Sequence, residues 1–158
     1  MYKTQRYSVV ILFNNDGSKI LLQKKNRTAF AGKLNGVGGK INNGEIPSTG
    51  ALREMQEEAS LRPEDLEHFK WCGTLLVPEQ CDEQNLDKYP ELWFFAGIVK
   101  DESRAQKPEN ETEEIDWYEL NSDNKPITDL ETAGDGDLEY FIAVGKRLLF
   151  GDNVASYK

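Results

Sequence analysis

The hydrophobic positions fall into runs of two periods. Tyr7 to Phe13 is an unbroken stretch rich in β-branched and aromatic residues, which predicts a buried strand. Asn14-Asn15-Asp16-Gly17 follows, made of residues that tolerate positive φ, and Lys19 to Gln23 then reads as a returning strand, so a hairpin is expected at the start. Phe69 to Val77, Leu92 to Val99 and Ile115 to Leu120 read as further strands, and the strongly apolar Leu92 to Val99 is expected at the centre of the sheet. A helical period runs through Ala51, Leu52, Met55 and Ala59 and predicts a helix from Pro47 to Ala59. Leu138 to Phe150 reads as a second amphipathic helix. Between these lie a basic loop (Lys24 to Lys33), a glycine-rich run (Leu34 to Lys40), an acidic loop (Pro78 to Pro90) and a polar, mobile connection (Asp101 to Glu114). Strands mixed with two helices far apart in sequence predict an α/β fold, a sheet sandwiched between helices, as one domain over residues 1–158.

The first helix is poorly optimised for stability. Pro47 suits the first helical position, where no amide hydrogen is needed, but that makes Ile46 the cap, and isoleucine caps badly. Gly50 inside the helix costs about 1 kcal/mol against alanine. On the same helix stand Arg53, Glu54, Glu57 and Glu58. The three carboxylates sit at i, i+3 and i+4 and share a face, where like charges repel by a few tenths of a kcal/mol per pair. A solvated acidic face with an Arg53–Glu57 ion pair is one explanation. A cage of oxygen ligands for a hard cation such as Mg²⁺ is the other, and it gains from the glycines just upstream. Gly38 and Gly39 can bring backbone amides close to a ligand without a Cβ in the way.

Composition narrows the choice. The net charge is −9, from 28 acidic and 19 basic side chains, so most of the surface repels duplex nucleic acid and also repels polyphosphates unless cations intervene. Cys72 and Cys81 are too sparse for a disulfide framework and lack zinc-ligand spacing, and they are read as reduced thiols in a cytoplasmic protein. His68 has no catalytic partner nearby and is taken as a surface residue. The N-terminal residues do not form a signal peptide, and no stretch approaches a membrane span.

Gly39, then Glu45, then Arg53-Glu54-Met55-Gln56-Glu57-Glu58-Ala59-Ser60-Leu61 resembles the Nudix box. One position departs: Ser60 stands where that family usually has glycine, at a helix end that wants a left-handed residue. The resemblance implies the Nudix fold, an α/β/α sandwich around a mixed sheet. It implies attack by water on a phosphorus of a nucleoside diphosphate linked to another group. Glu54, Glu57 and Glu58, with Gly39, would bind Mg²⁺ (Mn²⁺ as a substitute), and Glu57 or Glu58 would orient or deprotonate the water. Arg53 would hold Glu57 or Glu45 in place. A further acidic residue from a distant loop is expected, with Glu111, Glu113 and Glu114 as candidates.

The run Gly32-Lys33-Leu34-Asn35-Gly36-Val37-Gly38-Gly39-Lys40 is similar to the MutT-like branch that includes the oxidised-purine nucleoside triphosphatases. That implies a base contact for Asn35, whose amide both donates and accepts, although Asn-Gly is also common turn chemistry. Gly38 and Lys40 would meet the phosphates. Asp137, with Asp135 behind it, would read the base, or Asp137 would cap the helix starting at Leu138. The tryptophan that stacks on the base in that branch is absent, since Ala133 and Gly134 stand beside the pair. The expected activity is conversion of a nucleoside triphosphate, an oxidised purine among them, to monophosphate and pyrophosphate. ADP-ribose or nucleotide-sugar hydrolysis is the alternative, Pro78 lying roughly where ADP-ribose hydrolases carry a proline, and a silent nucleotide-binding regulatory module comes third. The partner expected is a small nucleotide, with no nucleic acid or membrane, in a monomer or homodimer.

Overall fold

A computed structural model describes residues 3–26, 31–76, 88–134 and 136–151. The strands are β1 (Lys3–Phe13), β2 (Lys19–Lys24), β3 (Leu34–Asn35), β4 (Leu66–Leu76), β5 (Lys88–Val99) and β6 (Ile115–Glu119), and the helices are α1 (Pro47–Ala59) and α2 (Asp137–Phe150). The sheet is mixed. Its order is β3-β2-β1-β5-β4, with β6 paired to β2. β1 and β5 run parallel at the centre, from Lys3 opposite Lys88 to Phe13 opposite Ile98, and the other pairs are antiparallel.

Period-two alternation along β1 sorts its side chains onto two faces. Val9, Ile11 and Phe13 pack with Phe94, Ala96 and the α2 residues Leu138, Phe141 and Ile142. Val10 and Leu12 pack with Phe95, Val99 and the α1 residues Ala51, Met55 and Ala59. The result is an α/β/α sandwich with one helix covering each face.

Several expectations shift at their edges. β1 starts before Tyr7, because polar Lys3 to Arg6 are carried along by backbone pairing to β5. Lys88 to Pro90, expected in a loop, belong to β5. There Pro90 pairs with Gln5 of β1. The connection from Asp101 to Glu114 is more structured than expected. It holds a short 3-10 turn at Glu102–Arg104, tied back by Lys19 to Glu102 at 3.0 Å and by the Trp117 indole to the Glu102 carbonyl. Pro78, Cys81 and Asp135 lie outside the described residues. His68 is exposed, as expected, and among the described residues no helix is long and apolar enough to cross a membrane.

Candidate functional site

The glycine-rich run leaves β3 and lies antiparallel to β1. The Val10 amide donates to the Val37 carbonyl at 2.7 Å and the Ser8 amide to the Gly39 carbonyl at 2.8 Å. This approach is possible only without side chains: a Cβ on Gly38, which has φ +151°, would lie 2.1 Å from the Ser8 carbonyl oxygen. A Cβ on Gly39 would fall 2.8 Å from the Glu54 carboxylate. The loop is thereby pressed between β1 and the acidic face of α1.

Arg53 organises that face. Its Nε and Nη2 donate to the two oxygens of Glu45, each at 2.9 Å, in a two-pronged fork. Its Nη2 also reaches the Lys40 carbonyl, and its Nη1 donates to Glu54 at 3.0 Å and more loosely to Glu57 at 3.3 and 3.4 Å. Glu45 in turn accepts from the Asn42 amide, and Arg53 holds the Glu45 carboxyl down at about 2. The Arg53–Glu57 pair envisaged for a solvated face is thus the weakest of three. Arg53 grips Glu45 first.

The three helix carboxylates differ in setting. Glu57 is 56% exposed. Glu54 is half-buried, and burial pushes its carboxyl upward against the opposing pull of Arg53. Glu58 is buried, and burial pushes it up to about 7, opposed by Lys25 and by the Gly38 amide, which donates to it at 2.8 Å. Arg53 is shared between Glu54 and Glu57, and among the described residues no three acidic, histidine or cysteine side chains are gathered as a metal-ion cluster. The donor set still suits a hard divalent cation: it is all oxygen, and burial acts against the charge of Glu54 and Glu58, with only Glu54 of the two ion-paired to Arg53. Leu61 anchors the end of α1 in the core. Ser60 takes the left-handed conformation (φ 59°) expected of the departing position and donates to the Gln106 carbonyl.

Past Gly38 and Gly39 a cleft of about 590 Å³ opens on the α2 side of the sheet. Asn35, Gly38, Gly39, Lys40 and Asp137 all line it, so the residues singled out from sequence for substrate contact share one cavity. The segment before α2 is held there because the Leu34 amide donates to the Glu131 carbonyl and the Ala133 amide to the Leu34 carbonyl. Asp137 is not the cap of α2. Gly136 occupies that position at φ 92°, no side chain caps the helix, and Asp137 is its first residue, facing the cleft. Asn35 shows the turn role: its Oδ1 accepts from the Gly36 amide at 2.8 Å, and among the described residues its NH₂ group makes no hydrogen bond. Of the acidic candidates in the distant loop, Glu113 lines the cleft, Glu111 accepts from the Thr112 and Glu113 amides, and Glu114 pairs with Lys107. Sequence reasoning missed Lys25 and Tyr7. Lys25 lies in the cleft, its Nζ donating to the Gln23 side-chain Oε1 at 2.6 Å and standing 3.9 Å from Glu113.

The NUDIX domain model matches residues 3–132, and the chain belongs to that family. It is a hydrolase of MutT-like type. It is 28% identical over 135 residues to an oxidized purine nucleoside triphosphate hydrolase from Mus musculus, covering 82% of this chain and 74% of that one. It is 26% identical over 125 residues to an RNA pyrophosphohydrolase from Francisella tularensis, covering 71% and 78%. Among solved structures it is similar to the NUDIX domain of Shewanella oneidensis NrtR complexed with ADP ribose, with a TM-score of 0.69 at 16% identity over 94% of this chain and 90% of that one. Nudix hydrolases generally use divalent metals.

Proposed function

We propose that the protein hydrolyses nucleoside triphosphates to the monophosphate and pyrophosphate with Mg²⁺, and that it seats a purine base. The observation that carries this reading is the continuity of the carboxylate helix with the cleft, through Gly38 and Gly39, and the presence of Asn35 and Asp137 on the cleft wall. Glu54, Glu57 and Glu58, with Gly39, would hold the metal, which when bound supplies charge neutralisation at the phosphate oxygens and a more acidic water. Arg53 keeps Glu45 fixed and sets the position of Glu54. Lys25 and Lys40 bring the positive charge that an acidic protein otherwise lacks to the phosphate end of the cleft. The NH₂ of Asn35 donates to an acceptor on the base, and Asp137 accepts from a ring or exocyclic N–H, a pairing that fits a guanine-type edge. Glu57 or Glu58 takes the water's proton.

The test is a panel of triphosphates, oxidised and ordinary, together with ADP-ribose, in millimolar Mg²⁺. Release of pyrophosphate and monophosphate from purine triphosphates is expected. Glu57→Gln and Glu58→Gln are both expected to lower kcat by at least a hundred-fold, and only loss of the proton acceptor removes the acidic limb of the pH–rate profile. Cleavage of ADP-ribose alone would move the protein to the alternative substrate class, and binding without hydrolysis would remove the enzymatic reading. Asn35→Ala is expected to flatten the preference among bases by roughly ten-fold while Mg²⁺ affinity stays unchanged, since one hydrogen bond is worth about 1 kcal/mol. Unaltered relative rates across the bases would sink its role as reader.

A further inference from the structure

The cleft has an aromatic ring that the interior does not use. Tyr7 lies on β1 in the same alternation as Val9, Ile11 and Phe13, and so faces the α2 side of the sheet. Val9, Ile11 and Phe13 are covered and belong to the core, whereas Tyr7 is 38% exposed and lines the cleft. Strand propensity explains an aromatic residue on β1 but not an uncovered one on the face that α2 packs. Among the described residues two rings line the cavity. Phe141 is spent: it is buried and stacked on Phe94, with centroids 4.3 Å apart. Tyr7 makes no ring contact and its hydroxyl no hydrogen bond among the described residues. Its neighbours across the sheet are Lys40 on one side and Leu92 on the other, and both also line the cleft. The ring therefore sits on the floor between the lysine of the glycine-rich run and an apolar wall.

We propose that Tyr7 is the surface on which the substrate's base lies, and so determines which substrates the enzyme accepts; this rests on the nucleotide reading above. A flat ring over an apolar floor recognises the π-face that every base carries, while Asn35 and Asp137 address its edge. The position beside Asp137 has only Ala133 and Gly134, which offer no ring, so stacking comes from the sheet floor and not from the segment before α2. The predicted consequence is a preference for large bases, to which the edge contacts of Asn35 and Asp137 add their own selection. Guanine and adenine nucleotides bind better than pyrimidine ones.

Titration calorimetry of the full chain with guanosine monophosphate and with ribose 5-phosphate, which lacks a base, tests this directly. Tyr7→Ala is expected to weaken the nucleotide about ten-fold and leave ribose 5-phosphate unchanged, and Tyr7→Phe to restore wild-type binding. In turnover the alanine variant raises KM for purine triphosphates with kcat nearly constant. Melting curves of the variants check folding. An equal loss for both ligands, no loss for the nucleotide, or a wild-type chain that binds no nucleoside monophosphate at millimolar concentration would each overturn the proposal. The hydrolysis panel reads separately. A selective loss in calorimetry without pyrophosphate release removes the reaction but keeps the base seat, and pyrophosphate release with an indifferent Tyr7→Ala does the reverse.

Discussion

Glu58 shows what burial of a single carboxylate costs. Its proton is held up to about 7 by burial, with the Gly38 amide and Lys25 opposing and Glu54 and Glu111 adding like charge. A group whose folded value lies above its ordinary 4.5 contributes stability that is present below 4.5 and lost as pH rises through about 7. Glu54 shifts in the same direction. The metal-free protein is therefore expected to lose stability on the order of 3 kcal/mol between pH 5 and 8, seen as a falling melting temperature in chelator, and Glu58→Gln should flatten that slope. A slope unchanged in the glutamine variant would assign it elsewhere. At this scale the sequence was informative where chemistry leaves a fixed spacing. Arg53, Glu54, Glu57 and Glu58 could be read directly, and so could Gly38 and Gly39. Tyr7 and Lys25 could not, because a strand aromatic and a loop lysine look alike whether or not a cavity opens beside them. Asp137 was ambiguous because only the observed geometry of Gly136 separates a cap from a wall residue.

At the scale of elements, α1 gives two opposite expectations. Gly50→Ala should gain about 1 kcal/mol from helix propensity. The added Cβ, however, would lie 2.8 Å from the Glu45 carboxylate that Arg53 and the Asn42 amide hold in place. No net rise in melting temperature is expected, together with a drop in Mg²⁺ affinity as Arg53 is dislodged; a clean stabilisation with unaltered affinity would show that Glu45 yields freely. Ser60→Gly relieves a left-handed non-glycine residue at the loss of one exposed bond to Gln106. It should stabilise by about 1 kcal/mol, raising the melting temperature by a few degrees. The elements with strong periodicity were legible: α1 begins and ends at the residues its Pro47 and Ala59 predict. The polar ends of β1 and β5 were not, since their strand state comes from each other and not from their own side chains. β3 is too short to carry a period at all.

At the scale of the molecule, a chain of charge −9 gathers Glu54, Glu57 and Glu58 on one helix face around a single guanidinium. Mg²⁺ should accordingly raise the melting temperature progressively with the logarithm of its concentration. Glu54→Gln should abolish that rise even in the absence of nucleotide. An identical metal response in the variant would place the ion elsewhere.

The central parallel pairing also governs when the site can exist. Tyr7 meets Leu92, and Phe13 meets Ile98, across a long span of sequence. Such non-local contacts are slow to form, because loop-closure entropy is lost before they reward it. On the ribosome, α1 with its carboxylates emerges well before β5, so the acidic helix must wait, its apolar stripe without Phe95 and Val99, until β5 is out of the exit tunnel. Chains stalled ahead of β5 are expected to be protease-sensitive and blind to nucleotide, whatever metal surrounds them.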